Sequence, residues 1–169
     1  MKTKELFLKD PLSWKLVNEG VSSNNTEDLS TLRYELESFV CDGEYLNGMR
    51  RILQGYRDSF TSKSPEQKAA WISGFYGSGK SHLAKVLRYL WINFTFPDGA
   101  TARSLAHLPE EITDLLTEIT TLGKRHNGLH MAGGTLKAGV GSVRMRVLSL
   151  FFKSVGLPEA YPYAKFLMH

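Results

Sequence analysis

The chain has 169 residues, of which 42% are hydrophobic and 22% are charged, the composition of an ordinary globular protein of about one domain. Its single cysteine, Cys41, excludes an intramolecular disulfide and a cysteine-rich zinc site. The net charge of +4 comes from residues 71–169, which hold eleven Lys and Arg against six Asp and Glu. This excess suits an anionic ligand, with DNA possible but unsupported by any motif, and it suits solvated helix faces equally well.

The first residues, MKTKELFLKDPLSW, contain acidic side chains and lack a continuous apolar run, so they do not resemble a signal peptide. The longest apolar stretch, around Val86 to Phe96, is interrupted by Arg88 and Asn93 and is too short to cross a bilayer. Together with the lone cysteine, these features favour a cytoplasmic protein with no membrane partner.

An initial extended stretch leads into two predicted helices. Residues 22–29, SSNNTEDL, supply capping and turn residues, and Glu27 and Asp28 place negative charge where a helix begins. Helical spacing then occurs twice, in Leu29, Leu32, Leu36 and Phe39, and in Tyr45, Met49, Ile52 or Leu53, and Tyr56.

The centre of the chain has the pattern of a strand, a loop and a helix. Ser62 to Gln67 is a predicted loop, and the short apolar run Ala69 to Ser73 fits a buried strand. A helix begins near Gly79, and FPDG at 96–99 ends this block as a turn. We expect the helix to turn Lys85 and Arg88 toward solvent, His82 to be packed or solvent-facing, and the inward side to hold Leu83, Val86, Leu87, Leu90 and Trp91.

Two further helices and a second strand are predicted after this block. Pro109 suits the first helical position, followed by Glu110 and Glu111, with Gly123 as C-cap. GLHMAGGTL at 128–136 is the second candidate strand. Ser142 caps a helix that is apolar on more than one face, so we expect it to be deeply buried; Gly156 and Pro158 end it. The inward residues are Ile112, Leu115, Leu116 and Ile119 in the first helix, and Val143, Val147, Leu148, Phe151 and Val155 in the second.

The candidate site lies between the first strand and its helix. Gly74, Phe75, Tyr76, Gly77, Ser78, Gly79, Lys80 and Ser81 match the Walker A pattern G-x-x-x-x-G-K-[ST] at every fixed position. The glycines let backbone N–H groups turn toward a phosphate, and the helix adds free N–H groups and its positive end. Lys80 would reach the β- and γ-phosphates and Ser81 would bind Mg²⁺, so ATP and Mg²⁺ are the expected ligands.

The pattern is specific enough to favour a ligand over an empty glycine turn. A chain of this length matches it by chance on the order of one time in a hundred, and the strand and helix around it strengthen the assignment. The D-x-x-G and N-K-x-D motifs of GTPases and the ABC-type signature are absent, and 73 residues precede the loop, unlike small-molecule kinases. A mechanical or regulatory ATPase remains.

Hydrolysis needs more than this loop. A Walker B strand, four apolar residues ending in Asp or Glu, holds Mg²⁺ and orients the attacking water. None follows Ser81, and FVCD, ending at Asp42, lies upstream and fits a helix end better. We therefore expect phosphate binding and identify no catalytic residue.

The blocks around the loop resemble a known family. WISGFYGSGKSHLAKVLRYLW at 71–91, YELESFVCDGEYLNGMRRILQGY at 34–56, LHMAGGTL at 129–136 and FFKSVGLPEAYPYAKF at 151–166 resemble the amino-terminal part of the large P-loop protein of BREX phage-defence systems, the BrxC/PglY family. The resemblance implies a much longer cytoplasmic AAA-like ATPase that works with a DNA methyltransferase and a phosphatase-like protein. It would carry over Gly74, Gly77, Gly79, Lys80 and Ser81 as site residues and place Walker B beyond His169.

The sequence thus predicts an α/β fold. Residues 1–66 form a helical and extended lead-in, and residues 67–169 form part of an AAA-like P-loop NTPase domain. The predicted function is ATP binding within a BREX antiviral system. The alternative is a docking or homo-oligomerisation module of the same complex that binds nucleotide weakly or not at all.

Overall fold

A computed structural model of the chain describes residues 28–62, 68–136 and 142–158, and 61% of these residues are helical. The initial extended stretch, the loop at 63–67 and the final AKFLMH segment lie outside the described residues. The helices are α1 (Leu29–Glu37), α2 (Gly43–Thr61), α3 (Lys80–Ile92), α4 (Ala102–Leu105), α5 (Glu110–Gly123) and α6 (Val143–Ser154).

The expected α/β P-loop core is wrong, because the described part of the chain is helical and has no β-strand. Its only β-type pairing is a single bridge between Thr95 and Thr101. Neither of the two candidate strands, residues 69–73 and 128–136, forms regular secondary structure. A strand needs a neighbour for its backbone groups, and three glycines in GLHMAGGTL make that segment a poor one.

The core is built from helix against helix. α2 packs along α5, and α3 contacts α1, α4 and α5. The apolar faces meet as the 3.6-residue spacing predicts, because side chains three and four positions apart lie on one side of a helix. The buried apolar residues are Leu32, Leu36, Phe39, Cys41, Met49, Leu53, Leu83, Val86, Leu90, Phe96, Ala102, Ala106, Ile112, Leu115, Leu116 and Ile119.

The predicted start of α1 and the predicted FPDG turn are confirmed. Asp28 is the N-cap of α1, and its carboxylate accepts a hydrogen bond from the Ser30 N–H at 3.0 Å. α3 already ends at Ile92, and its C-cap Asn93 has a left-handed φ of 49°. FPDG then turns with a hydrogen bond from the Gly99 N–H to the Phe96 carbonyl. Arg103 donates to the carbonyls of Leu90 and Trp91, so a cation satisfies the acceptors at the negative end of α3.

The predicted face of α5 is confirmed, but both of its ends differ from the sequence prediction. Pro109 is the N-cap, one position before the first helical residue. Gly123 is the last residue of α5 with an ordinary φ of −60°; the chain makes one further 3₁₀ turn before Asn127 takes the left-handed conformation. Position 123 favours glycine for a different reason, because a Cβ there would overlap the side chain of Leu129.

The expected deep burial of α6 is wrong. Its Ser142 N-cap is confirmed, because that hydroxyl accepts from the Met145 N–H at 3.2 Å. However, none of the α6 residues is buried, and Val143, Phe151 and Val155 are each more than half exposed. α6 meets the preceding segment where Leu150 packs against Gly134 and where the Ser154 hydroxyl lies 2.9 Å from the His130 ring.

The charge of Lys85 suggested a side chain that faces solvent, but Lys85 is only 2% exposed and lies inside the core. Its ammonium lies 2.6 Å from the carboxylate of Glu35 on α1. Position 85 lies on the other side of α3 from Leu83, because residues two apart on a helix do not share a face. The acid on α1 makes a charge acceptable there. Arg88 is also partly buried, with its guanidinium over the Tyr89 ring and against Gly133.

Within residues 28–62, 68–136 and 142–158, no helix is both long enough and apolar enough to cross a membrane.

Replacement of Lys85 by methionine keeps the side-chain volume but leaves the Glu35 carboxylate buried without its cation. We expect Lys85→Met to lower the free energy of unfolding by about 3–5 kcal/mol in urea denaturation, and Lys85→Met with Glu35→Leu to recover most of that loss. Lys124→Met, an exposed control, should change the value by less than about 0.5 kcal/mol. A loss below about 1 kcal/mol for Lys85→Met would contradict the buried pair.

Arg50 on α2 joins α5 through two 2.8 Å hydrogen bonds to Glu111, which hold the pKa of that carboxyl below its ordinary value. The pKa of Glu111 is lower in the folded chain than in the unfolded chain. The stability that this pair contributes is therefore fully present above the unfolded pKa of about 4.3, and it is lost as pH falls through the pKa of the folded state. The stability difference between wild type and Glu111→Gln should therefore be constant above about pH 5 and shrink below about pH 4.3.

Chemical denaturation at a series of pH values from 7 to 3 measures this difference. Glu110→Gln, in the same first turn of α5, is the matched control. A difference between wild type and Glu111→Gln that does not change with pH would count against the ion pair.

Candidate functional site

The predicted phosphate loop forms a tight turn between a segment without regular secondary structure and α3. Residues 68–75 belong to no helix or strand, the Ser78 N–H donates to the Phe75 carbonyl at 3.2 Å, and α3 begins at Lys80. Gly77 and Gly79 have φ values of 78° and 76°, in the left-handed region that favours glycine. Gly79 is one of the two fixed glycines of the pattern, and Gly77 occupies one of its variable positions, so the turn has glycine at both places where the backbone is left-handed.

The loop ends at the open N-terminus of α3. The first helical hydrogen bond runs from the Leu83 N–H to the Gly79 carbonyl at 2.8 Å. The N–H groups of Lys80, Ser81 and His82 precede it and have no intrahelical acceptor. Free N–H groups at the positive end of a 13-residue helix favour an anion.

The side chain of Lys80 folds back over the loop. Its ammonium donates to the Phe75 carbonyl at 2.5 Å and lies 3.4 Å from the Ser78 hydroxyl. An anion placed above the loop would meet this ammonium directly, with the backbone N–H groups beneath it. Ser81 is the second residue of α3 and is partly buried.

The four variable positions of the pattern contribute backbone and few side-chain contacts. Phe75 and Tyr76 are 91% and 89% exposed, and Trp71, just before the loop, is 92% exposed. Ser78 is the exception, because its hydroxyl lies against Gly74, where a Cβ would be only 2.8 Å away. The loop therefore uses its main chain to form the cradle, as phosphate-binding loops do.

Helices α1 and α2 contact the loop and the first turn of α3. The Tyr45 hydroxyl on α2 donates to the Ser78 carbonyl at 2.5 Å. His82 lies 3.1 Å from the Glu35 carbonyl on α1, with its ring edge-on to Phe39 at 5.7 Å. Both contacts involve residues next to fixed positions of the pattern, so the lead-in helices determine where the loop lies.

A groove of about 850 Å³ opens beside the loop, a volume typical of ligand sites. One wall is a face of α2 that includes Gly48, Ile52, Gly55 and Tyr56, and the other is the irregular segment 68–75 with the loop itself. A Cβ at Gly48 or Gly55 would meet nothing within 4 Å, so this face of α2 is open.

The residues fit phosphate better than they fit a metal bound by protein alone. In the described part of the chain, no group of three or more His, Cys, Asp and Glu side chains is placed to hold a metal ion. Mg²⁺ retains several waters and is commonly held by one or two protein oxygens together with substrate phosphates. The Ser81 hydroxyl could supply one such oxygen.

The sequence analysis missed the residues that support the loop from α1 and α2. Tyr45 appeared only as one apolar position of an amphipathic helix, and His82 as a packed or solvent-facing residue. The hydrogen-bond partner of Tyr45 is 33 positions away in the sequence, and that of His82 is 47 positions away. Helical periodicity places Tyr45 on the correct face, but only the packing of α2 beside the loop shows what its hydroxyl meets.

No protein-family model matches the chain, and no solved structure matches it. The assignment of the site therefore depends on its residues and their geometry.

Alanine at Gly79 should destabilise the protein more than alanine at Gly77. Both positions have a left-handed φ, which costs about 1–2 kcal/mol for a residue with a Cβ. A Cβ at 79 would in addition overlap the Tyr45 hydroxyl, whereas a Cβ at 77 would meet nothing within 4 Å. Displacement of that hydroxyl adds about 0.5–1.5 kcal/mol. Equal midpoints for Gly77→Ala and Gly79→Ala in urea denaturation would contradict the packing of Tyr45 on the loop.

Proposed function

We propose that Gly74–Ser81 binds the phosphate groups of a nucleotide, ATP or ADP with Mg²⁺. One observation carries the proposal: a complete Walker A pattern coincides with a left-handed glycine turn that ends at a free helix N-terminus. A glycine-rich turn serving only as a connection would not need Lys80 at the mouth of the turn.

Each part of the site has a distinct task in this proposal. When phosphate binds, the ammonium of Lys80 leaves the Phe75 carbonyl and contacts phosphate oxygens instead. The new contact is the stronger one because both of its partners are charged. The N–H groups of the loop and of the first turn of α3 donate to the same oxygens. The Ser81 hydroxyl binds Mg²⁺, which neutralises the phosphates, and the groove along α2 takes the nucleoside.

The biological setting that we propose rests on the sequence resemblance alone. The blocks at 34–56, 71–91, 129–136 and 151–166 resemble the BREX P-loop family, so we infer a cytoplasmic, nucleotide-binding component of a phage-exclusion system. Its partners would be the DNA methyltransferase and the phosphatase-like protein of that system. Hydrolysis by the isolated chain is not part of the proposal, because the sequence lacks a Walker B segment.

A docking or oligomerisation module is the second candidate, and it has its own observation. Val143, Val147 and Phe151 on α6 and Val155 at its C-cap follow one another at intervals of four and are 39–67% exposed. Such a continuous apolar stripe is typical of a surface that meets another protein. In that case the loop would bind nucleotide weakly or not at all.

Titration calorimetry with Mg·ADP separates the two candidates. Lys80→Ala should weaken binding by about 1.5–3 kcal/mol, because it removes a hydrogen bond to a charged group. Lys124→Ala, an exposed lysine of the 3₁₀ turn, controls for the general loss of one positive charge. Equal affinities of wild type and Lys80→Ala, or no binding by wild type, would refute the nucleotide site and favour the docking module.

A further inference from the structure

We propose that Tyr45 is a positioning residue for the phosphate site, one that orients the backbone N–H of Gly79. The inference rests on the proposed nucleotide-binding function and deepens it. It assigns a task to a side chain of α2 that lies outside the Walker A pattern.

The peptide group between Ser78 and Gly79 is held by α2, because its carbonyl accepts a hydrogen bond of 2.5 Å from the Tyr45 hydroxyl. The described peptide bonds are all trans, and in a trans peptide the C=O and N–H groups point in opposite directions. A carbonyl held toward Tyr45 therefore turns the Gly79 N–H away from that hydroxyl.

This N–H is available for a ligand. Among the described residues it has no hydrogen-bond partner, whereas the neighbouring Ser78 N–H is already bound to the Phe75 carbonyl. It lies immediately before the first turn of α3, where the N–H groups of Lys80 and Ser81 are also free of intrahelical acceptors. The three N–H groups and the Lys80 ammonium can then act on one anion.

The peptide group would otherwise be free to rotate. Gly79, on one side of this peptide, has no side chain, and glycine adopts positive and negative φ about equally, so Gly79 alone does not fix the plane of the peptide. Tyr45 fixes it from outside the cradle, and a Cβ at position 79 would displace the hydroxyl. Gly79 is thus required twice, once for its φ and once for the close approach of Tyr45.

Tyr45 is itself held by neighbouring aromatic rings. It lies edge-on to Phe39 at 6.2 Å, and Phe39 lies edge-on to His82 at 5.7 Å. His82 in turn contacts the Glu35 carbonyl on α1. The hydroxyl therefore acts from a fixed position, which a positioning role requires.

The test compares wild type with Tyr45→Phe in the full 169-residue chain. The variant keeps the ring on Phe39 and removes only the hydroxyl. Tyr89→Phe, whose ring packs on Phe94, is the matched control. The probes are inorganic pyrophosphate and Mg·ADP by calorimetry, and the ¹H–¹⁵N NMR signal of Gly79 during the pyrophosphate titration.

We expect Tyr45→Phe to lower the affinity for both probes by the same factor, about three- to tenfold, because one oriented donor is lost from the phosphate contact. The downfield shift of the Gly79 amide proton on pyrophosphate binding should also be smaller in the variant. Tyr89→Phe should match wild type in affinity and in shift. Thermal melting verifies that each variant is folded.

Three results would overturn the role of Tyr45 while leaving the nucleotide site intact. One is wild-type affinity and an unchanged Gly79 shift in Tyr45→Phe. Another is weaker Mg·ADP binding with unchanged pyrophosphate binding, which would place Tyr45 at the nucleoside. The third needs no variant: a Gly79 amide in wild type that does not respond to bound pyrophosphate. A wild type that binds neither probe refutes the nucleotide site itself.

Discussion

The buried ion pair between Glu35 and Lys85 determines how the helices around the candidate site are arranged. A lysine ammonium is stable in a protein interior only beside an opposite charge, so α3 can pack in the core only where α1 presents Glu35. The backbone carbonyl of the same residue meets His82 one turn earlier on α3. Two contacts at one residue of α1 therefore fix the first two turns of α3, and the phosphate loop is attached to that end.

The helical part of the fold could be predicted from the sequence because its signals are local. The spacing of Leu32 and Leu36, or of Ile112, Leu116 and Ile119, follows from side chains on one face of a helix. Caps such as Asp28 and Ser142 act within three residues. The glycine turn at 74–81 could be anticipated for the same reason, since the Walker A pattern is contiguous and its glycine conformations are a property of the backbone; the binding role of its eight residues stays a prediction.

The errors concern properties that depend on distant residues. A short apolar run such as Ala69–Ser73 fits a strand or a loop equally well until a neighbouring strand is present, and the glycine-rich 128–136 segment does not provide one. Lys85 appeared solvated because its acid lies 50 positions earlier in the chain. α6 appeared buried because apolar composition shows what a helix can bury and does not show what lies beside it.

The irregular segment before the loop also affects how the chain behaves in concentrated solution. Residues 69–75 lie outside any sheet of the described structure, and Trp71 and Phe75 stand almost fully in water. Apolar segments with unpaired backbone groups can pair edge to edge with one another, which is the first step of many aggregation processes. Gly74 interrupts this run and Gly77 follows it, and glycine is a poor strand former. The residues that allow the cradle to form thus shorten the stretch over which two copies could associate as strands.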